Sequence, residues 1–242
     1  MPEPHVIIPA RLASTRFPRK VLADVGGKPM IQRVWERSRD AVGAECVHVS
    51  TDSDEVAEVA KGFGADVRMS SDQARCGTER VAELASRLDA SALVNVQADD
   101  PFISSALVSE SISAFFDRGL AVCTPIFRMT HEDGQTPHIV KVARSHSGRA
   151  LYFSRAVIPH DRDGAEQDAE LWGHIGLYVY SPDAVEAFAS FGESELEKRE
   201  KLEQLRFLEN DIPIATFVTD YRPRAVDVPE DLERMLKDGF DE

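Results

Sequence analysis

The strongest constraint on this chain is an alternation of two periods over its first 125 residues. Val6-Ile7-Ile8 reads as a buried strand, and Pro29 to Val42 carries Met30, Ile31, Val34, Ala41 and Val42 at helical spacing. Cys46 to Val49 reads as a second strand. Glu55 to Phe63 reads as a helix, with Asp54 as its start signal and Gly64 as its stop. Asp66 to Met69 is a third strand, Glu79 to Leu88 a helix, Leu93 to Val96 a fourth strand, Ala106 to Phe116 a helix, and Leu120 to Thr124 a fifth strand. Strands separated by helices need crossover connections. The expected class is therefore α/β, with a mostly parallel sheet flanked by helices.

The texture changes after Pro125. Residues from about 126 to 180 are β-rich with longer polar loops, through Ile139–Ala143, Leu151–Phe153 and His174–Tyr180. Helices are expected at about 182–189 and 194–209, a late strand at Ile214–Val218, and a last helix at Pro229–Lys237 with Pro in its first turn. The pattern leaves two readings of the middle section open: an insertion packed on a partner subunit, or an added sheet of the same domain, with residues 1–242 forming one domain in either case.

The net charge of −14 argues against a general nucleic-acid binder, which would carry a basic face. No apolar run approaches the roughly 20 residues of a spanning helix, so no membrane association is expected. Cys46, Cys76 and Cys123 form no CxxC pair, which excludes a readable zinc knuckle or disulfide framework. With no secretory signal at Met1–His5, cytoplasmic residence is the expectation.

On this acidic background, one loop is conspicuously basic. Pro9–Lys20, PARLASTRFPRK, follows the first strand and carries Arg11, Arg16, Arg19 and Lys20 beside small residues that let backbone amides approach a ligand. Ligands bind beyond the carboxyl ends of strands in open parallel sheets, so the loop reads as a polyphosphate site or as a solvated basic loop. Asn95-Val96-Gln97-Ala98-Asp99-Asp100-Pro101 follows the fourth strand. Its paired carboxylates suit a divalent ion shared with phosphate oxygens, or an Asx turn. Asp227 completes such a metal site or is an ordinary loop carboxylate. Cys76-Gly77-Thr78-Glu79-Arg80 opens a helix, either as a base or ribose contact or as a cap. Ser194–Glu209 is charged enough to be read as a solvated helix with i,i+4 pairs such as Glu197–Lys201.

Taken in order, these strings resemble the 3-deoxy-manno-octulosonate cytidylyltransferase (CMP-KDO synthetase) family. The carrying segments are Pro9–Lys20, GKPMI at Gly27–Ile31, GTER at Gly77–Arg80 and NVQ-x-D-x-P at Asn95–Pro101. They continue with VKV at Val140–Val142, ALYFSRA-x-IP at Ala150–Pro159, H-x-G-x-Y at His174–Tyr178, EKLEQLR at Glu200–Arg206 and VD-x-PEDLER at Val226–Arg234. The resemblance implies a Rossmann-like nucleotidyltransferase fold. It also implies in-line attack by the anomeric hydroxyl of a 3-deoxy-2-ulosonic sugar acid on the α-phosphate of CTP, with pyrophosphate released. It assigns Arg11 and Lys20 to catalysis at the triphosphate, and Asp99 and Asp227 to Mg2+. Pro9, Ala10, Arg11, Arg16, Arg19, Lys20, Cys76, Gly77, Thr78 and Gln97 fall to the nucleotide. Gln97, Arg155, His174, Tyr178, Glu203 and Gln204 fall to the sugar acid, with Arg155 on its carboxylate. It further implies a homodimer through the β-rich middle section.

The sequence departs from the family's pattern in four places. Arg19 replaces a glycine, Cys76 a serine, Ala98-Asp99-Asp100 a Gly-Asp-Glu, and Val228 a threonine before the last helix, where Val cannot cap. Because these changes gather around the nucleotide, two alternatives stay open. One is another acceptor, such as an 8-amino octulosonate, a nonulosonate or a phosphonate. The other is a non-catalytic nucleotide-binding homologue.

Overall fold

The computed structural model describes residues 2–14, 17–162, 170–226 and 228–238. They form two compact units, Met1–Ser109 with Pro223–Glu242, and Glu110–Arg222. In chain order the first contains β1 (Glu3–Pro9), α1 (Met30–Val42), β2 (Val47–Thr51), α2 (Asp54–Gly62), β3 (Asp66–Met69), α3 (Gly77–Ala85) and β4 (Ala90–Val96). Helix α4 (Ser105–Arg118) runs across the boundary in sequence. The second unit continues with β5 (Val122–Met129), α5 (His131–Gln135), β6 (Lys141–Arg144), β7 (Ala150–Ser154), β8 (Leu171–His174), β9 (Leu177–Tyr180), α6 (Pro182–Ser190), α7 (Glu195–Glu200), α8 (Leu205–Glu209) and β10 (Ile214–Val218). The chain then returns to the first unit for α9 (Pro229–Asp238). Among the described residues no helix is long and apolar enough to cross a membrane.

The first unit is a parallel α/β sheet in the order β3-β2-β1-β4. Strands β1, β2 and β4 are buried on both faces, which is why Val6, Ile7 and Ile8 form a continuous apolar run rather than an alternation, whereas β3 lies at the more exposed edge. Helix α1 packs on β1 and β2, α2 on β2 and β3, and α3 on β1 and β4. Helix α2 starts one residue before the expected Glu55, because the Ser53 hydroxyl accepts from Val56 N at 3.4 Å and caps it. A separate cluster of Val25, Met30, Val226 and Leu232, joined by Phe17 and Phe102, ties the basic loop to the segment after Asp99 and to α9.

In the second unit the strands run β9-β5-β8-β6-β7, each pair antiparallel, with β10 parallel to β5. Two sequence expectations are corrected here. His174–Tyr180 is not one strand. It breaks between β8 and β9, where Leu177 N turns back to Ile175 O at 2.7 Å and the Thr124 hydroxyl of β5 reaches Leu177 O at 2.7 Å. Nor is 194–209 one solvated helix. Lys201 takes a left-handed conformation (φ 55°) that ends α7. Glu197, rather than pairing with Lys201, lies buried against Arg206, whose guanidinium donates to both carboxylate oxygens at 2.6 and 2.7 Å. That guanidinium also covers the Phe188 ring at 4.0 Å.

Candidate active site

At the carboxyl end of β1 the chain leaves the sheet through Ala10, whose N–H donates to Ser50 O at 2.8 Å. Arg11 stands exposed beyond it. The loop returns through Arg19, in left-handed backbone (φ 60°, ψ 25°), into a single 3-10 turn at Lys20–Leu22. Arg19 turns its guanidinium to Glu55. Lys20 Nζ lies 3.0 Å from Asp99 Oδ2, the first residue pair of the expected site that the fold brings together. Asp99 is in turn fixed by its backbone, since its carbonyl accepts from Val226 N at 2.8 Å. Arg16 and Asp227, expected at the phosphates and the metal, lie outside the described residues.

At the carboxyl ends of β1 and β4, marked by Pro9 and Gln97, is a pocket of about 110 Å³, several times the ~10–15 Å³ that admits one water. Pro9, Arg11, Cys76, Gly77 and Gln97 of the expected nucleotide set line it, together with Ala74, Arg75 and Arg80. Helix α3 begins here. Cys76 occupies the N-cap position and makes no side-chain capping bond, so the cap reading of this cysteine is not realised. The amides at the start of α3 lie at the pocket, as an anion or polar ligand would need. Gly77 sits at a close approach: a Cβ there would stand 3.0 Å from Gln97 Nε2 and 3.2 Å from Asn95 Nδ2, so these side chains would have to give way. Gln97 itself is held by donating to Asn95 Oδ1 at 3.2 Å.

Arg75 escaped the sequence reading of the site, and Arg80 entered it only within the helix-opening string. Arg80 is only 3% exposed and donates to Asp52 at 2.7 Å and to the Ser70 hydroxyl. Arg75 pairs with Glu79 at 2.6 Å. Arg80 belongs to the helix-opening string Cys76–Arg80, but its ion pair could not be foreseen, because a partner 28 residues away in sequence cannot be read from spacing.

The residues expected at the sugar acid lie in the second unit. His174 packs against Phe153 (5.3 Å) and Tyr178 (5.2 Å), and burial pushes its pKa down to about 3. The single proton of the Thr124 hydroxyl goes to a backbone carbonyl. The neutral ring must therefore donate from Nε2 to Thr124 Oγ1 at 3.1 Å, which leaves Nδ1 as an acceptor. Tyr178 is buried and stacks on Tyr180 at 5.6 Å within its own chain. Arg155 is exposed but anchored: its N–H donates to Glu200 Oε2 (3.0 Å), its Nε to Glu200 O (3.0 Å) and its Nη1 to Pro137 O (3.2 Å). Glu200 also accepts from Ser154 Oγ at 2.7 Å, three residues before Glu203. Gln204 is buried, and its Nε2 has no hydrogen-bond partner among the described residues, as a group that takes a ligand or water would.

A hard-cation site needs oxygen donors. Asp99, partly exposed beside Lys20, supplies one carboxylate, the number Mg2+ commonly takes together with phosphate and water oxygens. Among the described residues the one group of three clustered candidate ligands is Glu3, Glu45 and Cys46, away from this chemistry.

Comparison with known proteins gives a consistent result. A family model described as Cytidylyltransferase matches residues 5–214. The 3-deoxy-manno-octulosonate cytidylyltransferase of Syntrophotalea carbinolica is 42% identical over 240 residues, covering 95% of each chain. That of Geobacter metallireducens is 43% identical, covering 96% of this chain and 95% of its own. A solved CMP:2-keto-3-deoxy-manno-octonic acid synthetase complexed with CTP superposes with a TM-score of 0.89 at 34% identity, covering 96% of both chains. A cytidylyltransferase from Leptospira borgpetersenii, 18% identical with a TM-score of 0.64, shares the fold. With its parallel nucleotide-type sheet and this degree of identity along nearly its whole length, the chain belongs to the 3-deoxy-manno-octulosonate cytidylyltransferase family of nucleotidyltransferases.

Proposed function

We propose that this chain transfers CMP from CTP to the anomeric hydroxyl of 3-deoxy-manno-octulosonate, releasing pyrophosphate. The reading is carried by the Lys20–Asp99 pair, 3.0 Å apart, in a chain 42% identical to enzymes of that name. The hydroxyl oxygen bonds to the α-phosphorus, the bond from that phosphorus to the pyrophosphate oxygen breaks, and the hydroxyl proton leaves to solvent. Lys20 and Arg11 offset charge on the departing pyrophosphate, worth most where water is excluded. Pro9, Ala10, Cys76, Gly77, Thr78 and Gln97 hold the nucleoside portion, and Arg155, His174, Tyr178, Glu203 and Gln204 the sugar acid. Asp99, with Asp227, holds Mg2+, which when bound neutralises triphosphate charge and lowers the pKa of the attacking hydroxyl.

The same reading takes the enzyme as a cytoplasmic homodimer. That Cys46, Cys76 and Cys123 form no disulfide supports a reducing compartment. A second copy suits the β7–β8 face, where Leu151 is 61% exposed and the Trp172 ring lies between Arg128 (5.6 Å) and Arg144 (5.1 Å). Light scattering on purified protein should give twice the chain mass, and a monomer removes the dimer from the reading. The activity is tested by pyrophosphate release across a panel of nucleotides and ketoacids with and without Mg2+. CTP with 3-deoxy-manno-octulosonate should be the best pair. Turnover with another acceptor alone, or CTP binding without turnover for any acceptor, would overturn it.

A further inference from the structure

Lys141, at the start of β6, is the least expected charge in the second unit. It sits opposite Ser154 of β7 and Gly173 of β8 and has no exposed surface. Its ammonium donates to Thr136 O at 2.6 Å and Arg155 O at 2.9 Å, and among the described residues no carboxylate pairs with it. An ammonium buried without a counter-ion is costly, and neutral donors would satisfy two carbonyls more cheaply. Arg155 is the charge that acts on it, while the Glu200 carboxylate is taken up by Ser154 Oγ and the backbone N–H of Arg155. Neither the ammonium nor the Arg155 guanidinium is paired with a carboxylate among the described residues, so both positive charges are left to complement an anionic ligand. Arg155 is the exposed member. Its Nε and one Nη1 proton go to Glu200 O and Pro137 O, which leaves the Nη2 edge for a planar anion.

We propose that Lys141 is a positioning residue for the acceptor: its ammonium fixes the carbonyl of Arg155 by a charge-assisted hydrogen bond, so that the guanidinium meets the acceptor's carboxylate. The inference deepens the activity proposed above and rests on it. Desolvation, with Arg155 adding to it, lowers the pKa of Lys141, as the same geometry requires.

The test is steady-state pyrophosphate release by the full chain, varying 3-deoxy-manno-octulosonate and CTP separately. Lys141→Gln keeps a donor and drops the charge. It should raise the acceptor KM about tenfold, the size of one charge-assisted hydrogen bond, and leave the CTP KM within about twofold. In an Arg155→Ala background the same substitution should change the acceptor KM less than about twofold, because the two act as one unit. Additive effects, or an equal rise in both KM values, would overturn the proposal. Should Lys141→Gln not fold, the wild type alone decides: its acceptor KM, and not its CTP KM, should rise at alkaline pH below the ordinary lysine range, and a flat acceptor KM refutes the role. A wild type that releases no pyrophosphate with any 3-deoxy-2-ulosonate is a different result, which strikes the activity rather than Lys141.

Discussion

Arg19 holds a backbone conformation that suits glycine, and a non-glycine residue there costs roughly 1–2 kcal/mol. Its compensation is an ion pair with Glu55 in which the two side chains are 62% and 39% exposed, a pair worth less than about 1 kcal/mol. Strain therefore outweighs the contact, and Arg19→Gly should stabilise the fold by about 0.5 kcal/mol in urea titrations. The neighbouring charge behaves differently. Asp99→Ala leaves Lys20 without its 3.0 Å partner and is expected to abolish nearly all turnover while the far-ultraviolet circular dichroism stays native. Activity kept in that variant would remove Asp99 from the metal. Five of the pocket residues were legible in the sequence, through the basic loop after the first strand, the helix opening at Cys76 and the resemblance to the family. The role of Arg80 was not, since it depends on Asp52 across the fold rather than on neighbours in the chain.

Helix α9 shows what a missing cap does. Val228 precedes it without a side chain able to accept a hydrogen bond, yet half of a capping box survives: Val228 N donates to Asp231 Oδ2 at 3.2 Å. Val228→Thr should supply the other half and add about 0.5–1 kcal/mol, read as a higher midpoint in thermal melts. Asp231→Ala should lower stability in the parent chain. Elsewhere the local code was legible to the residue: β3 and β10 run over the spans their β-branched stretches predict. It failed where long-range partners override it. The α7–α8 break depends on the buried Glu197–Arg206 pair, and the β8–β9 break on Thr124 of a different strand, and neither partner is visible at helical or strand spacing.

For the molecule as a folding unit, His174 sets a pH dependence. The unfolded chain takes up its proton near the ordinary value of about 6.5, whereas the folded chain resists until about 3. Between those values the unfolded state binds more protons, so stability falls as pH falls. The share from His174 is roughly 2 kcal/mol by about pH 5. His5 and His48, both lowered by desolvation, act in the same direction. Urea titrations from pH 7 to pH 5 should show a shallower decline in His174→Gln than in the parent, even if the variant starts lower. An identical slope would mean that the ring already carries its proton when folded.

The division of the chain into Met1–Ser109 with its returning tail, and Glu110–Arg222, bears on how such a catalyst diversifies. Arg11, Lys20, Gln97 and Asp99 belong to one stretch, and Arg155, His174, Tyr178, Glu203 and Gln204 to the other. On the proposed assignment, a substitution in the second unit is a change to the sugar-acid residues alone, and one in the first a change to the triphosphate residues alone.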